Sequence, residues 1–111
     1  MRIDIITIFP NMFSAVLDES IVKRAQIKGK VKIFTHDLRD YTLDKHHKVD
    51  DRPFGGGSGM LIQVEPIFRA LQAIKKKLKG KVKVILLSPQ GKRFNQIDAK
   101  RLSKCRNLIF I

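Results

Sequence analysis

The 111-residue sequence contains little cysteine, few aromatic residues and no long apolar run. Its one cysteine, Cys105, has no partner for an internal disulfide or for a paired-cysteine zinc or redox motif, which favours a reducing compartment. No apolar run exceeds five residues, which is too short to cross a membrane. The charged start, Met1-Arg2-Ile3-Asp4, is unlike a secretory signal peptide. We therefore expect a cytoplasmic protein with no membrane partner.

Length and apolar content are sufficient for one folded unit. A chain of 111 residues buries roughly two-thirds of its unfolded surface when it folds. Apolar residues make up 43% of the sequence, which argues against a disordered chain. We therefore expect residues 1–111 to form a single domain.

Acidic residues are nearly absent from the second part of the chain. Residues 1–70 hold 11 basic and 9 acidic residues, whereas residues 71–111 hold 12 basic residues and one acid, Asp98. This asymmetry predicts a polyanionic partner, with nucleic acid favoured over an anionic membrane. The alternative is that these lysines and arginines are solvated charges on the surface.

Strand and helix patterns alternate along the chain. We expect strands over 2–9, 31–36, 61–64, 82–87 and 107–111, and helices over 11–27, 66–80 and 94–105. Asp18 and Glu19 interrupt the first helix, with Ser20 as the cap of its second piece, and Pro66 suits a first helical position. The nearly continuous apolar runs are typical of buried parallel strands, which predicts an α/β fold with a mostly parallel sheet flanked by helices. Because the last four residues are all apolar, we expect the protein to continue beyond them.

The first candidate site is a glycine-rich loop within a stretch, 39–60, that shows no helical or strand period. The loop runs Asp50-Asp51-Arg52-Pro53-Phe54-Gly55-Gly56-Gly57-Ser58-Gly59-Met60. Glycines allow backbone N–H groups to approach a phosphate, a flat base or a methionine-like group. The spacing matches neither a dinucleotide fingerprint nor a Walker loop. A flexible hinge or lid explains the same glycines.

The second candidate site is the turn after the strand at 82–87. In a parallel sheet, ligands bind at the carboxyl ends of strands. Ser88 and Gln90 offer polar groups there, and Pro89 restrains the turn. An ordinary strand-to-helix turn with Asn95 as the helix cap is the alternative.

Other polar residues are weaker candidates. Asp50 adjoins the glycine loop and could accept a proton. The pairs 46–47 and 50–51, two histidines and two aspartates, do not have the spacing of a standard zinc site. His36 is expected to be packed or at the rim of the sheet. The lysines over 75–83 lie at the edge opposite the strand ends, as solvated charges, partners of a helix C-terminus or remote contacts to an RNA backbone.

Three motifs carry a resemblance to a known family. They are the opening 2–10 with Met12-Phe13, the loop 50–60 and the stretch Leu87-Ser88-Pro89-Gln90-Gly91. In this order they resemble the bacterial tRNA (guanine-N1)-methyltransferases, and the resemblance runs over essentially all 111 residues. That family methylates the guanine just 3′ of the anticodon, position 37, with S-adenosylmethionine as methyl donor. Phe54 stands where tyrosine is common, and Ser58 stands where proline is common.

The resemblance implies the N-terminal part of a SPOUT-class domain. In that class a Rossmann-like α/β portion is followed by a trefoil knot and then by a helical domain, in a homodimer. The knot region and the family's principal catalytic aspartate and arginine would then lie beyond Ile111, so that no catalytic residue is expected within this chain. The partner implied is tRNA, and no metal is implied.

The resemblance also implies which residues of this chain line the site. The expected cofactor-binding residues are Leu86, Leu87, Ser88, Pro89, Gln90 and Gly59. The expected substrate-binding residues are Asp50, Gly55, Gly56, Gly57 and Ser58. Of these, Asp50 is a possible auxiliary group on the substrate side.

Three functional hypotheses follow. The first is an N-terminal portion of this methyltransferase that is inactive by itself, because the base that removes the N1 proton of guanine would lie elsewhere. The second is a non-catalytic basic RNA-binding or assembly module. The third is an unrelated nucleotide-phosphate binder built on the glycine loop. The first requires that the turns at 50–60 and 86–91 meet at one rim of the sheet.

Overall fold

A computed structural model describes all 111 residues as six strands and four α-helices. Along the chain these are β1 (Arg2–Thr7), α1 (Ser14–Leu17), α2 (Ser20–Ile27), β2 (Lys32–Asp37), β3 (Asp50–Asp51), β4 (Leu61–Ile62), α3 (Val64–Lys76), β5 (Val82–Ile85), α4 (Gln96–Leu102) and β6 (Asn107–Phe110). Short 3-10 turns follow β1 and β2, at Pro10–Met12 and Leu38–Tyr41. None of the helices combines the length and the hydropathy that a membrane crossing requires.

The predicted parallel sheet is confirmed. Four strands pair in the order β2-β1-β6-β5, and every pair is parallel. β1 is central, with Ile3 opposite Ile33 of β2 on one side and Leu108 of β6 on the other. The short strands β3 and β4 form a separate antiparallel hairpin.

The crossover connections place helices on both faces of this sheet. Parallel crossovers are right-handed, so α3, which connects β2 to β5, lies on the face opposite α1, α2 and α4. The core lies under α3, where six side chains form one buried cluster. They are Ile6, Leu38, Val49, Ala70, Ile74 and Ile109. The apolar stripe of α3 therefore covers the centre of the sheet.

Element boundaries differ from the predicted ones at several termini. Ser20 was expected to cap the second helix, but it is the first helical residue, and Glu19 occupies the cap position without a side-chain hydrogen bond. Pro66 is the third residue of α3 rather than the first, because the helix already begins at Val64. Proline is tolerated throughout the first turn, since its missing N–H has no helical partner there. α3 ends at Lys76, four residues before Gly80.

Candidate functional site

The glycine-rich loop is carried by a well-anchored hairpin. Asp50 pairs with Ile62 and Asp51 pairs with Leu61 across the two short strands. At the base of the hairpin, the backbone N–H of Gln63 donates to the carbonyl of Val49 at 2.7 Å. The side chain of Gln63 donates to the carbonyl of Asp50 at 3.3 Å. The loop therefore has a defined base and a free tip.

The loop glycines are required by backbone conformation rather than by packing. The φ angles of Gly55, Gly56, Gly57 and Gly59 are 77°, 82°, 111° and 88°. L side chains rarely adopt these values. No atom lies within 4 Å of the point where a Cβ would stand on any of the four. The space beside the glycine backbone is thus open to a ligand.

A cleft of about 390 Å³ lies against this hairpin. Its lining includes Asp51, Arg52, Glu65 and the ring of Phe54, which is 98% exposed. The solvated phenyl ring contributes no burial energy to the folded chain, and contact with a partner would bury it. The cleft therefore combines an aromatic face with charges of both signs.

The second loop is a tight turn at the end of β5. The N–H of Gly91 donates to the carbonyl of Ser88 at 2.9 Å, and the N–H of Gln90 reaches the Ser88 hydroxyl at 3.3 Å. The N–H of Leu87 donates to the carbonyl of Ile111 at 2.9 Å, which extends the pairing of β5 with β6. Leu86 and Leu87 are each 68% exposed. The turn therefore presents two apolar side chains beside polar backbone groups.

Asn95 caps α4, as the alternative interpretation of this segment predicted. Its side-chain oxygen accepts the N–H of Asp98 at 3.0 Å. Capping fixes the start of the helix and so the exit of the loop. The cap gives no role to the exposed Leu86 and Leu87 or to the Gln90 side chain. Helix capping therefore does not by itself explain the composition of the turn.

Both loops belong to the carboxyl edge of the sheet. The turn at 86–91 follows β5 directly, and the hairpin precedes α3, which runs back to the amino edge before β5 begins. No hydrogen bond or ion pair joins the two loops. That they form one pocket stays a prediction.

The histidines and aspartates near the hairpin make local contacts. His47 Nδ1 lies 3.0 Å from the Thr42 hydroxyl and 3.1 Å from the carbonyl of Arg39. No three side chains of the metal-ligating types gather at one point. Asp44 accepts the backbone N–H of Lys48 at 3.0 Å, and this bond is the main reason that the pKa of its carboxyl is lowered.

A buried polar network, which we did not predict, joins β1, β2 and the 3-10 turn that follows β2. The carboxylate of Asp4 is fully buried and accepts two hydrogen bonds from Arg2, each 2.9 Å long. His36 Nε2 lies 2.7 Å from the same carboxylate, and the Tyr41 hydroxyl lies 3.3 Å from His36 Nδ1. The Arg2 guanidinium also stacks over Phe34, 4.4 Å from the ring centre.

The network shifts two pKa values. The hydrogen bond to Asp4 is the largest cause of the raised pKa of Arg2. Burial raises the pKa of Tyr41, helped by the negative charges of Asp40 and Asp4. Every buried polar atom in the group has a partner. An acid inside the apolar run of β1 was the available signal, since a buried carboxylate needs cationic or hydrogen-bonding partners.

These features define a class of protein: a parallel α/β fold with two candidate ligand loops at the carboxyl edge of its sheet. The particular family follows from comparison with known proteins. The family model described as tRNA (guanine-1)-methyltransferase TrmD matches residues 1–111, so the chain belongs to that family. The predicted resemblance is thereby confirmed.

Individual relatives agree with this assignment. The chain is 55% identical to the tRNA (guanine-N(1)-)-methyltransferase of Dictyoglomus turgidum, over all of this chain and 44% of that protein. It is 54% identical to the protein of the same name from Clostridium botulinum, over all of this chain and 45% of that one. The chain therefore spans slightly less than half the length of these relatives.

A solved structure confirms the fold. The crystal structure of tRNA (m1G37) methyltransferase from Aquifex aeolicus superposes with a TM-score of 0.88 at 35% sequence identity. The superposition covers 99% of this chain and 49% of that one. The expected fold class, the N-terminal part of a SPOUT methyltransferase domain, is confirmed by this match.

Proposed function

We propose that this chain is the N-terminal portion of a tRNA (guanine-N1)-methyltransferase, which transfers a methyl group from S-adenosylmethionine to N1 of the guanine 3′ of the anticodon. The observation that carries the proposal is the match of the family model to every residue of the chain. The superposition on the Aquifex aeolicus enzyme also supports it, because 99% of the chain aligns with that structure at a TM-score of 0.88.

The turn at 86–90, with Gly59, would hold the methyl donor. Exposed Leu86 and Leu87 supply an apolar wall for a flat adenosyl group. The backbone around Ser88 and Pro89 and the Gln90 side chain supply polar groups that orient a small ligand. Gly59 lacks a side chain at a φ of 88°, so that a ligand can approach its backbone closely.

The hairpin tip would receive the target guanine. Gly55, Gly56, Gly57 and Ser58 present exposed backbone, and Asp50 at the base of the hairpin is only half-buried. The carboxylate of Asp50 has no hydrogen bond or ion pair within the chain, which leaves it free for an auxiliary contact to the base. The proton on N1 must leave as the methyl group arrives, and charge on O6 must be stabilised.

We propose that the 111 residues supply only part of the site and are inactive by themselves. Neither loop contains a buried acid–base pair suited to removing the N1 proton. By the family resemblance, the principal base is expected beyond Ile111. The intact protein is expected to be a cytoplasmic homodimer that acts on tRNA.

Methyl transfer to unmodified tRNA tests the function. The intact protein is expected to methylate guanine at position 37 and to lose this activity when that guanine is replaced by adenine. The isolated 111 residues are expected to give no turnover. Robust turnover by the isolated chain would overturn the partial-site proposal, and no transfer by the intact protein would overturn the function.

A non-catalytic RNA-binding module is the second candidate, favoured by the excess of basic residues over 71–111. Under this hypothesis the intact protein binds tRNA but does not transfer a methyl group. Binding of radiolabelled S-adenosylmethionine separates the two candidates, because only the methyltransferase requires the donor.

A further inference from the structure

A second cleft lies at the amino edge of the sheet, opposite the two candidate loops. Its volume is about 500 Å³, and it opens between the starts of β5 and β6. Its lining residues are Lys81, Val82, Lys83, Lys104, Cys105, Arg106 and Asn107. We refer to these seven residues as the amino-edge cleft. Four of them carry a positive charge.

No carboxylate neutralises the cleft. Its lysines and arginine are all exposed, and none of them takes part in an ion pair. The one acid of this region, Asp98, is already held by Arg101 at 2.8 Å and Lys92 at 3.9 Å. Four like charges around one concavity repel one another, which an anionic partner would relieve.

The backbone of the cleft is held in place from within. Asn107 is 4% exposed, and its side-chain amide donates to the carbonyls of Lys79 at 2.9 Å and Lys81 at 3.3 Å. The carbonyl of Arg106 accepts the N–H of Arg2 at 2.8 Å. The backbone around Lys81 and Arg106 is therefore tied to the sheet, so that binding does not have to order these two segments.

Stabilisation of helix ends does not explain Lys81 and Lys83, whereas Lys104, two residues beyond the end of α4, is placed to interact with that helix end. Lys75 and Lys76 lie in the last turn of α3, where cations interact favourably with the helix dipole. Lys83 lies within β5 and Lys81 directly precedes it, so neither is part of a helix terminus. Strands have only small net dipoles, which offer no such stabilisation.

We propose that the amino-edge cleft binds the phosphate backbone of RNA, at a site separate from the loops that face the target base. Its cations are not accompanied by an aromatic side chain, so the contacts would be to phosphates and carry no base specificity. The choice of RNA as the polyanion rests on the proposed function. For a tRNA, the cleft would hold a part of the molecule away from the methylated guanine.

Salt dependence of RNA binding by the intact protein is the first test. The variant combines Lys81→Gln with Lys104→Gln, and the matched control combines Lys23→Gln with Arg24→Gln, two exposed cations of α2 that have no ion-pair partner. Loss of two phosphate contacts should lower the slope of log affinity against log salt by about two, and should weaken tRNA and an unrelated RNA hairpin equally. The control is expected to keep the parent slope. An unchanged slope in the cleft variant would overturn the proposal.

Cys105 provides a local readout that does not depend on activity. It lines the cleft and is half-buried. Saturating RNA is expected to slow its alkylation by N-ethylmaleimide, as measured by peptide mass spectrometry, and S-adenosylmethionine alone is not. In the Lys81→Gln, Lys104→Gln variant this protection should be lost. Bound RNA that leaves the alkylation rate unchanged would contradict the proposal.

These outcomes are separable from failure of the proposed function. If both variants methylate tRNA with the same KM and the same salt slope, the cleft proposal is refuted and the methyltransferase proposal is unaffected. A protein that binds RNA through the cleft but transfers no methyl group supports the cleft and refutes the methyltransferase. Binding to phosphatidylserine vesicles with no binding to RNA would also refute the cleft as an RNA site.

Discussion

The two faces of the main sheet are covered very differently. Under α3, Ala70, Ile74 and Ile109 are almost completely buried. On the opposite face, an apolar groove of about 560 Å³ remains open between the sheet and α1 and α2. Its lining includes Ile3, Ile5, Phe13, Leu17, Val22, Ile33, Leu87, Phe110 and Ile111. The face under α3 contains the core, and the other face is an incompletely covered apolar surface.

Helix length explains this difference. α3 has 13 residues and carries a continuous apolar stripe, whereas α1, α2 and α4 on the other face have 4, 8 and 7 residues. A helix of one or two turns buries too little apolar area to seal a four-stranded sheet. Stability of the chain should therefore depend on the α3 face more than on the groove face.

Two neighbouring residues of β1 test most directly whether the two faces differ in their contribution to stability. Ile6 is 5% exposed on the α3 face, and Ile5, beside it, is only half-buried on the groove face. We expect Ile6→Ala to lower the free energy of unfolding by about 3–4 kcal/mol, because it leaves a cavity in the core. Ile5→Ala should cost about 1–2 kcal/mol, because solvent already reaches that side chain. Urea unfolding of both variants measures the difference, and equal losses would contradict the comparison.

The polar network of the α3 face should be the next most sensitive feature. Replacing Asp4 by Asn leaves Arg2 and His36 without their buried anionic partner. We expect a loss of about 2–3 kcal/mol in the free energy of unfolding. Asp18→Asn, at an exposed position, serves as the control and should change it by less than about 0.5 kcal/mol. A loss no larger than that of the control would show that the network is not stabilising.

Substitutions at the hairpin tip should lower the free energy of unfolding less than those in the core, because the tip lies outside the core. Gly57 has a φ of 111°, and its neighbour Ser58 does not have a positive φ. Gly57→Ala is expected to cost about 1–2 kcal/mol through backbone strain alone, since no atom crowds its Cβ position. Ser58→Ala should be nearly neutral. Thermal unfolding of the two variants measures the cost of strain in the loop, for comparison with the cost of cavities in the packed face. A Gly57→Ala variant as stable as the parent would show that the loop is not strained.

The smallest expected effect concerns Tyr41, the only tyrosine of the chain. Its pKa is raised in the folded state, so the unfolded chain loses the phenolic proton at a lower pH than the folded chain does. Stability contributed by this group is therefore complete at neutral pH and falls as the pH rises above the ordinary tyrosine value of about 10. Tyr41→Phe should flatten this alkaline decline. Ultraviolet titration of the phenolate in the folded chain provides the direct measurement, and a pKa at the free value would refute the assignment.

Local features of the sequence determined most of the elements and the family. The length of an apolar run and the spacing of its apolar residues are short-range properties of a sequence. Neighbouring residues alone were therefore enough to predict the helix that carries Ile74 and the strands around Ile5, Ile33, Val84 and Ile109. The motifs around the glycine loop and Pro89 pointed to the family for the same reason. Exact termini were less predictable, because an end such as the one at Ser20 depends on turn geometry as well as on residue type.

Only the tertiary structure decided which distant residues meet. Asp4 and His36 are 32 positions apart, and the register of β1 with β2 brings them to one face. Lys81 and Arg106 line one cleft because β5 and β6 start side by side. A sequence pattern reports the period of each segment but not the order or register in which the segments pair. Strand order and register depend on the free energy of the whole packed sheet. The residues of a single segment do not determine that free energy.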